Sequence, residues 1–138
     1  MDQRIIDFIN GHHLLTLATS KNNIPYCSNA FYIFDAQNKS LIFSSETKTK
    51  HAQDFIANPK VAATIALETK IVKKIQGVQL LGEIIELKGD DLEKATKQYL
   101  EAFPYARLMK LHLWEVRLTF VKMTHNQLRF GKKLIWEK

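Results

Sequence analysis

Leu41–Pro59 reads LIFSSETKTKHAQDFIANP, and two periodicities meet inside it. Leu41, Ile42 and Phe43 read as a strand whose end carries hydroxyls at Ser44 and Ser45, with Thr47 and Thr49 beyond. A short helix then runs to Asn58-Pro59 and buries Ala52, Phe55 and Ile56 at helical spacing. Lys48, Lys50 and His51 crowd its first turn. A helix N-terminus already bears about half a positive charge, so cations there are mildly unfavourable. They make sense around an anion. Exposed N–H groups, hydroxyls and ammoniums together form a phosphate cradle. The plainer alternative is a solvated basic helix start.

Upstream, Asp2 can cap a helix over residues 3–10 whose apolar face is Ile5, Ile6 and Ile9. His12 and His13 follow it, and adjacent histidines without a Cys or carboxylate cluster do not make a metal site. Residues 14–20 read as a strand, Lys21-Asn22-Asn23 as a turn, and residues 26–34 as an alternating strand. Cys27, Asn29, Phe31 and Ile33 share one of its faces. Asn29 is therefore expected as a buried amide needing a partner, and Cys27 as inert core. With Ser40–Ser45 these strands form an antiparallel meander.

Downstream, residues 61–67 read as a short strand and residues 75–88 as a long one. Gly77 and Gly82 interrupt the long strand, which predicts a bulge or a close approach. Gln76 and Gln79 are its candidate hydrogen-bonding side chains. Asp90 with Glu93 reads as a capping box for a helix over residues 91–102. Residues 112–123 form a strand with Trp114, Val116, Leu118 and Phe120 on one face. A last strand, Leu128-Arg129-Phe130, leads into a tail carrying Lys132, Lys133 and Trp136. The sum is a mainly β chain with about three short helices. Six or seven consecutive strands close best as a small antiparallel barrel, because closure removes exposed edges.

The bulk numbers agree with one domain over residues 1–138. The net charge of +6 favours anionic partners without choosing among them. Cys27 is the only cysteine, so no intrachain disulfide forms, which fits a reducing cytoplasm. No apolar run reaches membrane-spanning length, and a soluble cytoplasmic protein without membrane contact is expected. Nucleotide-loop, nucleophile-elbow and zinc-site motifs are absent. No acid/base pair stands out, so no catalytic residue is assigned and any chemistry is expected from a cofactor.

NAFYIFDAQ, ETKTKHAQ, IQGVQLLGEI, LWEVRL and FGKKLIW together carry a resemblance that covers nearly the whole chain. The chain resembles the pyridoxamine 5'-phosphate oxidase-like, FMN-binding split-barrel superfamily, and within it a small uncharacterised bacterial family. The resemblance implies that Ser44, Ser45, Thr47, Lys50 and His51 hold the FMN phosphate. It also implies that Asn29, Ala30 and Phe31 pass along the isoalloxazine ring. Gln79, with Gln76 as the other candidate, would reach the flavin from a facing subunit, and Lys132 and Trp136 would lie near the ring's other side. A homodimer with flavin sites between subunits follows. Two departures matter. Lys50-His51 stands where the superfamily has an Arg/Lys pair, and Asn29 stands where true oxidases have an Arg. Activity on pyridoxamine phosphate is therefore not carried over.

The leading expectation is an FMN-binding oxidoreductase acting on a small substrate. A flavin- or haem-binding module without redox activity is the alternative. Nucleic-acid binding through Lys70, Lys73, Lys74, Lys132 and Lys133 is a weaker third, since no interleaved aromatics accompany these lysines.

Overall fold

A computed structural model describes residues 1–138. Helix α1 spans Gln3–Asn10, and β1 (Leu14–Lys21), β2 (Ile24–Asp35) and β3 (Ser40–Ser44) follow. Helix α2 is Lys50–Ala57, then come β4 (Lys60–Ala66) and β5 (Gln76–Glu86). Helix α3 is Gly89–Ala102, and β6 (Leu113–His125) and β7 (Lys133–Glu137) close the chain. Short 3-10 turns lie at Val72–Lys74 and Pro104–Leu108.

The seven strands run in the order β3-β2-β1-β4-β5-β6-β7, and β3 also pairs with β6. That extra pairing closes six strands into an antiparallel barrel and leaves β7 as an added edge. Strand β6 serves both ends of the ribbon. Its first part, Leu113–Arg117, faces β3, and its later part, Phe120–Thr124, faces β7. The β1–β2 hairpin turns through Asn22 and Asn23, both at positive φ, where asparagine is among the residues best tolerated.

Inward side chains fill the barrel: Leu15 and Leu17 of β1, Tyr32 of β2, Leu41 and Phe43 of β3, Val78 and Leu80 of β5. Ile5, Phe8 and Ile9 of α1 enter this core near Tyr32, whose hydroxyl donates to the Ile9 carbonyl at 2.7 Å. Ala52 and Phe55 of α2 enter it too, Phe55 lying edge-on to Trp114 at 4.7 Å between centroids. The contact of α1 with Tyr32 and those of Asp54 of α2 with Thr19 and of Asn58, just past α2, with Ser20 lie toward opposite ends of the β1–β2 hairpin. A smaller core forms where Ala95 and Tyr99 of α3 cover Ile42 and Leu113 on the outer side of β3 and β6.

Several sequence expectations need correction. Cys27 and Asn29 are exposed, because the face they share points out of the barrel. Alternation alone gives two faces and does not say which one is inside. Ile56 is 52% exposed, and Asp54 takes a buried position on α2 instead. Helix α3 begins at Gly89 after Lys88 with no side-chain cap, so the capping box does not form. The positive φ of Gly89 turns the chain early and puts Asp90 and Asp91 in the first turn, where the helix dipole favours them. The bulge foreseen near Gly82 is present, with the register shifting between Leu81 and Gly82. Opposite it Thr119 is skipped in the pairing, so Phe120 leaves the core face and Val121 and Met123 become buried. Leu128-Arg129-Phe130 is a turn, and the last strand begins at Lys133.

Candidate functional site

The junction between β3 and α2 is tied by several polar contacts. Thr49 caps α2, its hydroxyl accepting from the Ala52 amide at 3.3 Å. The next two amides, Lys50 and His51, find no acceptor within the chain. They are the orphan donors expected at a helix start. Ser45, 8% exposed, lies beside them, its hydroxyl 3.1 Å from that of Thr49 and 2.6 Å from His51 Nε2. The indole of Trp114 donates to the Ser45 carbonyl at 2.8 Å, and the Ser45 amide donates to the His112 carbonyl at 3.0 Å. Strand β6 thereby fixes the end of β3 from behind. Burial pulls the His51 pKa below its ordinary 6.5, against the opposing charge of Asp54, so the ring is neutral at pH 7.

Lys50 does not join this cluster. Its ammonium lies 3.0 Å from both carboxylate oxygens of Asp54 and 4.9 Å over the Tyr26 ring. Asp54, 1% exposed, also accepts from the Thr19 hydroxyl at 3.0 Å. These donors, Lys50 first, hold the Asp54 carboxyl below the usual carboxylate range. Lys48 pairs with Glu46 at 3.3 Å on the open surface.

The remaining expected residues scatter. Ser44 receives the His112 amide at 3.4 Å, while Thr47 is exposed. Ala30 faces the core side of β2. Asn29 accepts from the Thr16 hydroxyl at 2.8 Å on the outer face. Phe31, 42% exposed, stacks on Phe103 at 5.4 Å. Gln79 is exposed between Thr64 and Lys122, on strands away from the junction. Lys132 lies in the β6–β7 connection, and Trp136 lines a hollow of about 460 Å³ beneath α3. Within one chain, Ser45 and His51 come together with Thr49, while Ser44 faces the His112 amide and Gln79, Lys132 and Trp136 do not join them. Sequence reasoning missed Thr19, Tyr26, Asp54 and Trp114. Only the four-residue spacing of Lys50 and Asp54 was a readable signal.

The amides of Lys50 and His51 fit a phosphoryl group, and the Ser45 hydroxyl can join them when His51 donates to it from Nε2, whereas the Thr49 hydroxyl already donates to the Glu46 carbonyl at 2.9 Å and the Lys50 ammonium is spoken for. No group of three or more His, Cys, Asp or Glu side chains is placed to hold a metal. No helix is long and apolar enough to cross a membrane.

Closed barrel, appended strand and strand–helix junction define the class: a small antiparallel split barrel. Residues 1–129 match the family model described as pyridoxamine 5'-phosphate oxidase, and the chain belongs to that family. It is 44% identical over 124 residues to the UPF0306 protein YhbP of Salmonella paratyphi B, covering 90% of this chain and 84% of that one. A FAD-binding protein from Mesorhizobium loti superposes with a TM-score of 0.72 at 14% identity, covering 89% of this chain and 93% of that one. A heme binding protein from Mycobacterium smegmatis gives a TM-score of 0.79 at 17% identity, covering 95% of this chain and 56% of that one.

Proposed function

We infer that the protein binds FMN and serves as an oxidoreductase on a small molecule. One observation carries the reading: two unpartnered helix amides and a buried serine hydroxyl meet at the β3–α2 junction. Neutral N–H and O–H donors at a helix start are the kind of group that holds a phosphoryl oxygen. Bound FMN would supply hydride or electron transfer. The chain's own part is to hold the phosphoryl group through the Lys50 and His51 amides and the Ser45 hydroxyl. Asn29, Ala30 and Phe31 would lie toward the ring.

A homodimer is part of the reading, because Gln79, Lys132 and Trp136 could approach this junction only from a second copy. The outer sheet face supports it. Ala18, Ala62, Leu81 and Phe120 form a row across β1, β4, β5 and β6, small or apolar throughout.

The test is the visible spectrum of the purified protein after incubation with excess FMN and desalting. A flavin spectrum that stays with the chain is expected. A colourless protein would overturn the reading, and a sharp haem band after incubation with hemin instead would favour the haem-binding alternative.

A further inference from the structure

We propose that Asp54 is a built-in counter-ion that keeps the Lys50 ammonium off the phosphoryl group, so that flavin is bound exchangeably and not as a resident group. The proposal rests on the flavin reading above and concerns how that site is tuned.

The sequence shows a cation-rich helix start, and the structure cancels it. Lys48 is matched by Glu46, Lys50 by Asp54, and His51 is neutral. The formal charge of these five side chains is zero. The two ion pairs are not equivalent. Lys48 and Glu46 have side chains 84% and 54% exposed, so water and salt screen them and an arriving anion can part them. The Asp54 side chain is 2% exposed and is clasped by Thr19 from β1 as well as by Lys50. Withdrawing Lys50 would leave the buried carboxylate with only the Thr19 hydroxyl and the more distant charge of Lys21, which is costly.

Helix stability alone does not account for the pair. With the acid nearer the C-terminus, it has the less favoured orientation against the helix dipole. Its direction also matters. The Lys50 side chain runs down the helix toward Asp54 and Tyr26, while His51 turns back to Ser45. The two residues expected to clamp one phosphate therefore diverge. A phosphoryl group at the junction meets neutral donors only. A charge-assisted contact contributes about ten- to a hundredfold in affinity, and this site forgoes it. FMN should then be favoured over riboflavin only modestly. A flavin held this way can be taken up and released each cycle as a co-substrate.

The experiment titrates FMN and riboflavin against the full chain and against Asp54→Asn. The amide keeps the shape and still accepts from Thr19, but it no longer needs Lys50. The expected result is FMN binding about ten- to a hundredfold tighter in the variant, with riboflavin unchanged. FMN affinity that is unchanged or weaker would overturn the proposal, weaker binding meaning that Asp54 aims Lys50 at the phosphate. The double variant Lys50→Met/Asp54→Leu removes both charges and guards against misfolding of the single one. Its FMN affinity should stay within about threefold of the parent, and a tenfold loss would show that Lys50 serves the phosphate. Pyrophosphate, followed by thermal shift, separates the two readings. If neither flavin binds but Asp54→Asn gains pyrophosphate stabilisation, the flavin reading fails and the counter-ion stands. If the variant gains none, the counter-ion fails.

Discussion

Every cation in the first turn of α2 has a definite neighbour, and His51 is the one that pH can change. Burial lowers its folded pKa below 6.5, so the unfolded chain binds the extra proton more readily. The sign follows. The His51 contribution is fully favourable above about pH 6.5 and is lost as pH falls through the window below it. The charge of Asp54 opposes the shift without cancelling it. Protonated His51 would also add a cation to the cradle, so anion binding should strengthen over the same window. We predict that urea stability of the ligand-free chain falls from pH 7.5 to 5.5 while pyrophosphate affinity rises. His51→Gln should flatten both profiles relative to the parent. A parent chain with no pH dependence in either would contradict the assignment.

At the scale of elements, Gly82 is where β5 and β6 change register. A Cβ there would lie 2.5 Å from the Arg117 carbonyl oxygen and 2.9 Å from Val116 Cγ1. Neither neighbour is a free-swinging chain end, so the backbone must move. Gly82→Ala should cost about 1–3 kcal/mol in chemical denaturation, with the overpacking as the cause. Gly77 makes a useful control, since its nearest contact for a Cβ is 3.2 Å and involves one backbone oxygen only. The need for a glycine at position 82 was legible in the sequence as an interrupted strand. The skipped residue opposite it was not. The apolar–polar alternation does change phase at Phe120-Val121, but only pairing with β5 shows that Thr119 is the residue without a partner. The start of α3 was misread for a similar reason. Asp90 and Glu93 have the spacing of a cap, but the entry angle is set at Gly89 by the path from β5.

For the whole molecule, closure and association are different problems. The pairing of β3 with β6 closes the barrel and removes two edges, while the outer row of Ala18, Ala62, Leu81 and Phe120 leaves a smooth surface. Analytical ultracentrifugation should give a dimer for the parent chain and a monomer for Leu81→Asp, since an unpaired carboxylate at a packed interface is unfavourable. A parent that sediments as a monomer would remove the second copy from the flavin reading. Leu81 is already 49% exposed in the single chain, so the substitution should leave the monomer fold intact.

Local chemistry alone determined much of this protein. The order of most strands and helices, the Asn22-Asn23 turn, the irregularity at Gly82 and the hydroxyl-rich junction between β3 and α2 follow from period, turn residues and composition within a few positions of chain. Tertiary structure decided which face of each strand is inside, and so exposed Cys27 and Asn29 against expectation. It also chose the partners of the charges. Lys50 looked free because its neighbours in sequence are hydroxyls and cations. The fold buries Asp54 between α2 and β1 and brings Thr19, 35 residues away in the chain, to hold it. Period and propensity act over a few residues, whereas burial and pairing of charge depend on which distant segments share one small volume.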